Sequence, residues 1–252
     1  MTSDSTRRFS DRVDNYVRYR PSYPLAVLDI LRETTQLSLE DAIADIGSGT
    51  GISASLFLQA GHEVYGIEPN ADMRQAAEAL LESYSAFHSL DGTAECTNLP
   101  AQSMDYVIAA QAFHWFDPVM AKQEMMRILR PKGWILLLWN TRKIDSTPFA
   151  CAYEDLLKEY GMDYLSIRHR NISPEQLKDF LGDSFQSFTL ENSQCFDFEG
   201  LKGRLLSSSY MPNEGRPNFM AMITALQLLF DAHQQEGFVT VEYDTELYLG
   251  QG

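Results

Sequence analysis

The chain of 252 residues is poor in cysteine, poor in cations and without any long apolar run. Its three cysteines, Cys96, Cys151 and Cys195, are odd in number, far apart and lack metal-ligand spacing. They predict a reduced, cytoplasmic protein with no metal site. No stretch reaches the ~20 apolar residues that a membrane span requires, and residues 1–10 are polar, with no signal-peptide core. Lysine and arginine number 20 against 35 acidic residues, a formal charge of −15. That balance argues against nucleic acid or an anionic membrane as principal partner, because both demand a cationic face. A small anionic ligand is still admitted wherever a few arginines reverse the field locally. Internal repeats, low-complexity tracts and an interdomain linker are also missing, so the expectation is one α/β domain with an elaboration. The 44% hydrophobic content is enough for a large core.

What the chain does have is Asp45-Ile46-Gly47-Ser48-Gly49-Thr50-Gly51, preceded by the apolar run Ala42-Ile43-Ala44. A short buried strand ends in a turn with glycine at alternate positions, and a helix starts near Ile52. Glycine is needed where φ is positive or where a ligand approaches the main chain closely. The turn amides and the helix N-terminus are expected to face a polar ligand at the carboxyl edge of an open sheet. The spacing is G-x-G-x-G and not the dinucleotide G-x-G-x-x-G, since Ile52 holds the sixth position.

Strand and helix patterns then alternate. A helix is expected from Pro24, capped by Ser22, to about Leu37. Strand Glu63–Glu68 follows the loop helix, and Pro69-Asn70 opens a helix to about Ser83. A weak strand is read near residues 84–89, then a loop over Asp91–Pro100. Met104–Ala110 reads as a buried parallel strand running into Gln111-Ala112-Phe113-His114-Trp115-Phe116. Asp117-Pro118 starts a helix to Leu129, Arg130–Gly133 breaks it, and Trp134–Asn140 is the fifth strand. Further helix starts lie at Thr147-Pro148 and at the capping box Ser173-Pro174-Glu175-Gln176, with stops at Gly161 and Gly182. Strands are expected at Phe185–Phe198 and Phe238–Leu249, with helical stretches near Glu199–Ser208 and Pro217–Gln235 between them. The pattern predicts a parallel sheet with helices on both faces.

The loop Asp45–Gly51, Glu68 at a strand end, Gly92-Thr93-Ala94-Glu95 and Leu129-Arg130-Pro131-Lys132-Gly133 together resemble the type 11 branch of the class I S-adenosylmethionine-dependent methyltransferases. Tyr16–Pro24 and Gln111–Phe116 are similar to the group containing trans-aconitate methyltransferase. The resemblance implies a Rossmann-like α/β fold: seven strands, mostly parallel, an antiparallel last strand beside the fifth, helices on both faces and a small helical cap. It implies one methyltransferase domain over 1–252, with a lid at 1–24, a cofactor core at 38–140, a cap with the sixth strand at 141–236 and the last strand at 237–252. It also implies S-adenosyl-L-methionine as cofactor. Gly47, Ser48, Gly49 and Thr50 would lie under its methionine part, Gly51 would belong to the same cofactor-binding loop, and Asp45 would orient its ammonium. Glu68 would take the ribose hydroxyls, and Met73, Thr93, Ala94 and Glu95 would meet adenine. Gln111 would sit beside the sulfonium, and Tyr16 and Arg20 would close the lid, with Arg20 a partner for the methionine carboxylate.

Methyl transfer from a sulfonium is an in-line displacement that rewards alignment and exclusion of water and calls for no metal. An ionised carboxylate acceptor needs no base, whereas a phenol with a pKa near 10 would gain from one. His114 is the base candidate, read rather as positioning the substrate. Trp115, Arg142 and Tyr210 are candidate acceptor-site residues, with Arg142 first choice for an anion clamp, and Arg168, His169 and Arg170 are further cations to consider. The expectation is O-methylation of a small-molecule carboxylate. Transfer to a phenol, amine or activated carbon is the alternative within the class. A nicotinamide oxidoreductase and a non-catalytic cofactor-binding protein are the alternatives outside it.

Overall fold

The computed structural model describes residues 13–162, 164 and 173–252. Residues 9–12 and the cluster Arg168, His169 and Arg170 lie outside them. The elements in order are helix α1 (Val13–Tyr19), α2 (Ala26–Thr35), strand β1 (Ala42–Ile46), α3 (Ile52–Gln59), β2 (Glu63–Ile67), α4 (Ala71–Leu80), β3 (Phe87–Leu90), β4 (Met104–Ala110), α5 (Pro118–Ile128), β5 (Leu129–Arg142), α6 (Pro148–Tyr160), α7 (Pro174–Leu181), β6 (Gln186–Phe196), α8 (Phe198–Leu206), α9 (Phe219–His233) and β7 (Val239–Gln251). They build one seven-stranded sheet of order β3-β2-β1-β4-β5-β7-β6. β1 pairs in parallel with β2 and β4, and β7 lies antiparallel between β5 and β6.

The central strands are mostly apolar, as strands covered on both faces are, with Asp45 the polar residue of β1. β1 is buried at every position. Successive residues face opposite layers. Leu137 packs with Met125, Ile128 and Phe180 on one side, while Leu136 and Leu138 meet Val27-side residues such as Leu31 and Phe57 on the other. Each such side chain contributes about 1.5–3 kcal/mol by leaving water. A third cluster joins α6, α8 and α9 through Tyr153, Leu157, Leu201, Leu205, Met222 and Leu226 to Tyr243 of β7, forming the helical cap.

Caps explain most helix ends. Asn70 accepts from the Asp72 and Met73 amides, and Asp117 from Val119 and Met120. Both hydrogen bonds of the Ser173–Gln176 capping box are present. Two expectations need correction. The helix after Pro24 begins at Ala26, with Leu25 at its N-cap and no side-chain cap. Ser22 has another task, since its carbonyl accepts from Asn140 and Asn192 and ties the amino-terminal segment to β5 and β6. The Arg130–Gly133 break is instead an irregular start to β5, where the register with β4 shifts.

Candidate active site

The sheet grows outward from β1 to β2 and β3 on one side and from β4 to β5 on the other, and the crevice at that switch between β1 and β4 is where open α/β sheets bind ligands. One cleft lies there, in two contiguous halves that share Tyr16, Gly47, Gly49, Ala110, Gln111 and Trp115. One half adds Glu68, Pro69, Asn70, Met73, Thr93, Ala94, Glu95 and Phe116. The other adds Arg20, Tyr23, Ser48, Thr50, Ser53, His114, Asn140, Arg204 and Tyr210.

The glycine loop differs from expectation in where its amides point. Gly47 and Ser48 donate to the Ile67 carbonyl at 2.8 and 3.1 Å, and Gly49 donates to Glu68 Oε2 at 2.9 Å. These three donors are spent inside the protein and are not offered to a ligand. Gly47 has φ 69°, and a Cβ there would lie 2.7 Å from the Ala112 methyl. Gly51 does not line the cleft. It is the left-handed N-cap of α3, where a Cβ would strike Leu81 at 2.6 Å.

Glu68 holds the loop as well as facing the cleft. Its second oxygen accepts from Asn70 N at 2.8 Å. Burial raises its pKa, against the pull of the Asn70 and Gly49 amides and of Arg74. Each oxygen keeps a lone pair for a further donor. Met73 is buried beside it, and Thr93 and Ala94 complete an apolar wall. Glu95 reaches the same wall but also accepts from the Asp117 amide at 2.9 Å, pinning the start of α5.

Asp45 stands one layer back. It is 1% exposed and accepts from Ser53 Oγ, a cleft residue, at 2.6 Å. Burial pushes its carboxyl up to about 7, with Glu68 adding to the rise and Ser53 and the nearby Ala54 amide opposing it. Among the described residues, neither its buried Oδ1 nor Thr50 Oγ1 has a hydrogen-bond partner. Gln111 follows β4 with φ 56°, a left-handed backbone unusual for a side-chain-bearing residue, and its Nε2 donates to the Asn140 carbonyl at 3.0 Å. Strain of this kind persists where the surroundings over-determine it, commonly at sites of function.

The cations are arranged differently from the sequence expectation. Arg142 lines neither half. It donates to Glu154, donates to the Tyr164 hydroxyl at 3.1 Å and lies over the Tyr153 ring. With side chains 11% and 3% exposed, Arg142 and Glu154 form a buried ion pair, so this arginine is already neutralised. Arg20 and Arg204 are not. Arg20 lies over Tyr16, donates Nη2 to the Ser207 carbonyl at 2.9 Å and has a buried Nε with no acceptor. Burial, then the neighbouring Arg204 charge, lowers its pKa. Neither guanidinium has an ion-pair partner among the described residues. The C-terminal dipole of α8 offsets about 0.3–2 kcal/mol of such a charge, whereas burying an ion costs several. The shortfall leaves this half of the cleft fitted to anions. Arg204 escaped the sequence reading because a basic residue in the last turn of a helix is ordinary, and nothing local marks it as buried.

Residues 44–137 match the family model described as a methyltransferase domain, of the type 11 branch. That stretch resembles the class I S-adenosylmethionine-dependent methyltransferase domains. An uncharacterised methyltransferase of Mycobacterium tuberculosis is 37% identical over 139 residues, which make up 55% of this chain and 54% of the relative. A methyltransferase-like protein of Schizosaccharomyces pombe is 28% identical over 158 residues, 62% of this chain and 60% of that one. The chain thus spans about half the length of the first of these relatives. A candidate type II methyltransferase structure from Anaeromyxobacter dehalogenans superposes with TM-score 0.64 at 23% identity, over 92% of this chain and 98% of that one. Phosphoethanolamine N-methyltransferase 2 of Haemonchus contortus, in complex with S-adenosyl-L-methionine, gives TM-score 0.58 at 16% identity, over 99% of this chain and 60% of that one. These two likenesses show the fold.

Proposed function

We propose that the protein is a small-molecule methyltransferase that uses S-adenosyl-L-methionine and methylates a carboxylate oxygen. The observation that carries the acceptor class is the pair of buried guanidiniums, Arg20 and Arg204, neither ion-paired among the described residues, in a chain whose net charge is −15. A protein so acidic repels anions, so an anion site must be built from such local cations. The likeness of Tyr16–Pro24 and Gln111–Phe116 to the trans-aconitate group is part of the same reading.

The cleft fits the cofactor. Glu68 has acceptor capacity for two hydroxyls, Met73, Ala94 and Phe116 offer an apolar slot for a base, and Arg20, in the other half, offers its guanidinium to a carboxylate. Asp45 and Ser53 supply the negative side for an ammonium. When bound, the cofactor supplies a methyl group on a sulfonium, which passes to a nucleophile as the electron pair returns to sulfur. Gln111 and Tyr16, on the wall shared by both halves, hold the reacting groups together, and the ring-lined corner of His114 and Trp115 excludes water. An ionised carboxylate requires no proton transfer, which leaves His114 to position the acceptor.

Methyl-labelled cofactor incubated with small acids, phenols and amines tests this reading. Label should appear in base-labile esters, and His114→Gln should retain most activity. Label in phenols alone, lost in His114→Gln, would overturn the carboxylate assignment.

A further inference from the structure

Two buried guanidiniums face the same half of the cleft, and one cofactor carboxylate can neutralise only one of them. On the reading proposed above, Arg20 serves the cofactor. Arg204 is then left over. It is 7% exposed and is held from behind. Nε donates to the Tyr243 hydroxyl at 3.0 Å, Nη1 donates to Ser208 Oγ at 3.3 Å, and Tyr243 in turn donates to Gln194 Oε1 at 3.0 Å. This chain runs from α8 through β7 to β6 and fixes the guanidinium plane. Every partner on that chain is a neutral oxygen, and Nη2 has no protein acceptor among the described residues. A rigid, buried, uncompensated fork at a ligand cleft is what a bidentate carboxylate requires.

The chemistry then restricts which carboxylate it is. A carboxylate oxygen that takes a methyl group loses its charge in that step: the new O–C bond forms as the S–C bond breaks, and no proton moves. Were the carboxylate on Arg204 the one methylated, the arginine would lose its counter-ion as the transition state was reached. Binding that weakens in the transition state slows the reaction. An anion that keeps its charge throughout does not have this defect.

We infer that Arg204 anchors an anionic group of the acceptor other than the one methylated, so that the acceptor is bifunctional and, on the carboxylate reading, a dicarboxylate released as its monoester. Arg204 is a specificity residue for the acceptor end of the cleft.

The test uses the full chain with succinate, glutarate and adipate, with butyrate and hexanoate, and with carboxylates bearing an amine or phenol as the second group. Turnover is read as S-adenosylhomocysteine formed, and binding by calorimetry with and without added S-adenosylhomocysteine. A dicarboxylate should be turned over, while monocarboxylates bind and inhibit competitively without turnover. Arg204→Gln should weaken binding of both by at least about tenfold, the loss expected for a charge-assisted pair, and leave cofactor affinity within about twofold. Arg204→Lys, which keeps charge but not the fork, should recover only part. Monocarboxylates turned over as efficiently as dicarboxylates, or acid binding unchanged in Arg204→Gln, would overturn the anchor. If Arg204→Gln does not fold, the wild-type comparison of mono- and dicarboxylate turnover decides alone. Turnover confined to the amine or phenol acids, still dependent on Arg204, would uphold the anchor and refute carboxylate methylation. Absence of S-adenosylhomocysteine binding would refute the methyltransferase reading, and acid binding without it would still report on Arg204.

Discussion

Asp45 and Arg142 show how the same residue type means different things in different surroundings. Asp45 has its pKa moved by burial from an ordinary 3.8 to about 7. Between those values the folded chain keeps a proton that the unfolded chain has lost, so raising the pH across that window removes stability. A bound ammonium favours the ionised form and works in the opposite direction. The rise in melting temperature on adding S-adenosylmethionine should therefore be larger at about pH 8 than at about pH 6, and Asp45→Asn should flatten the difference. An identical pH dependence in the two proteins would separate Asp45 from the cofactor. Arg142 ends β5 at the carboxyl edge, and the sequence made it the natural anion clamp. Its neutralising partner, Glu154, lies on another element, and no pattern along the chain links them. Arg142→Ala should cost about 3 kcal/mol in denaturant unfolding, near the low end for halving a buried pair because Lys158 still faces Glu154. Its acceptor KM should change less than about threefold. A raised KM at unchanged stability would return Arg142 to the site.

At the scale of elements, what was legible was what local chemistry decides. The Asp45–Gly51 turn, the Asn70 and Asp117 caps and the Ser173–Gln176 box all lie where the pattern put them, since a cap or glycine turn is fixed by a few consecutive residues. Three features were not legible. β5 extends back to Leu129 because Met104 of β4 offers it a partner, the Gly47, Ser48 and Gly49 amides turn inward because Ile67 and Glu68 accept them, and α1 is held by contacts distant in sequence. α1 packs on α8 where Gly203 leaves room for the Tyr19 ring, and a Cβ at 203 would lie 2.0 Å from that ring. Gly203→Ala raises helix propensity by up to about 1 kcal/mol while displacing α1, which carries Tyr16 toward the cleft. Cofactor affinity should then fall by about tenfold with the melting temperature of the free protein little changed. Parallel loss of both would make α1 a structural strut, and loss of neither would detach it from the site.

For the whole molecule, the sheet order, the family match over residues 44–137 and the cleft at the β1–β4 switch agree on one use of the fold. The strongly negative chain closes that cleft with Arg20 and Arg204, neither ion-paired among the described residues, so charge and topology act together. The central claim is that this cleft takes S-adenosylmethionine with Glu68 as acceptor for its hydroxyls. Calorimetric titration of the full chain and of Glu68→Gln with S-adenosylmethionine, and then with NAD, tests it most directly. One site per chain should bind S-adenosylmethionine, NAD should give no comparable heat, and Glu68→Gln should weaken binding by at least about tenfold, the cost of losing charge-assisted bonds at a partly buried carboxylate. Binding of NAD in preference, or equal affinity in wild type and Glu68→Gln, would contradict the account.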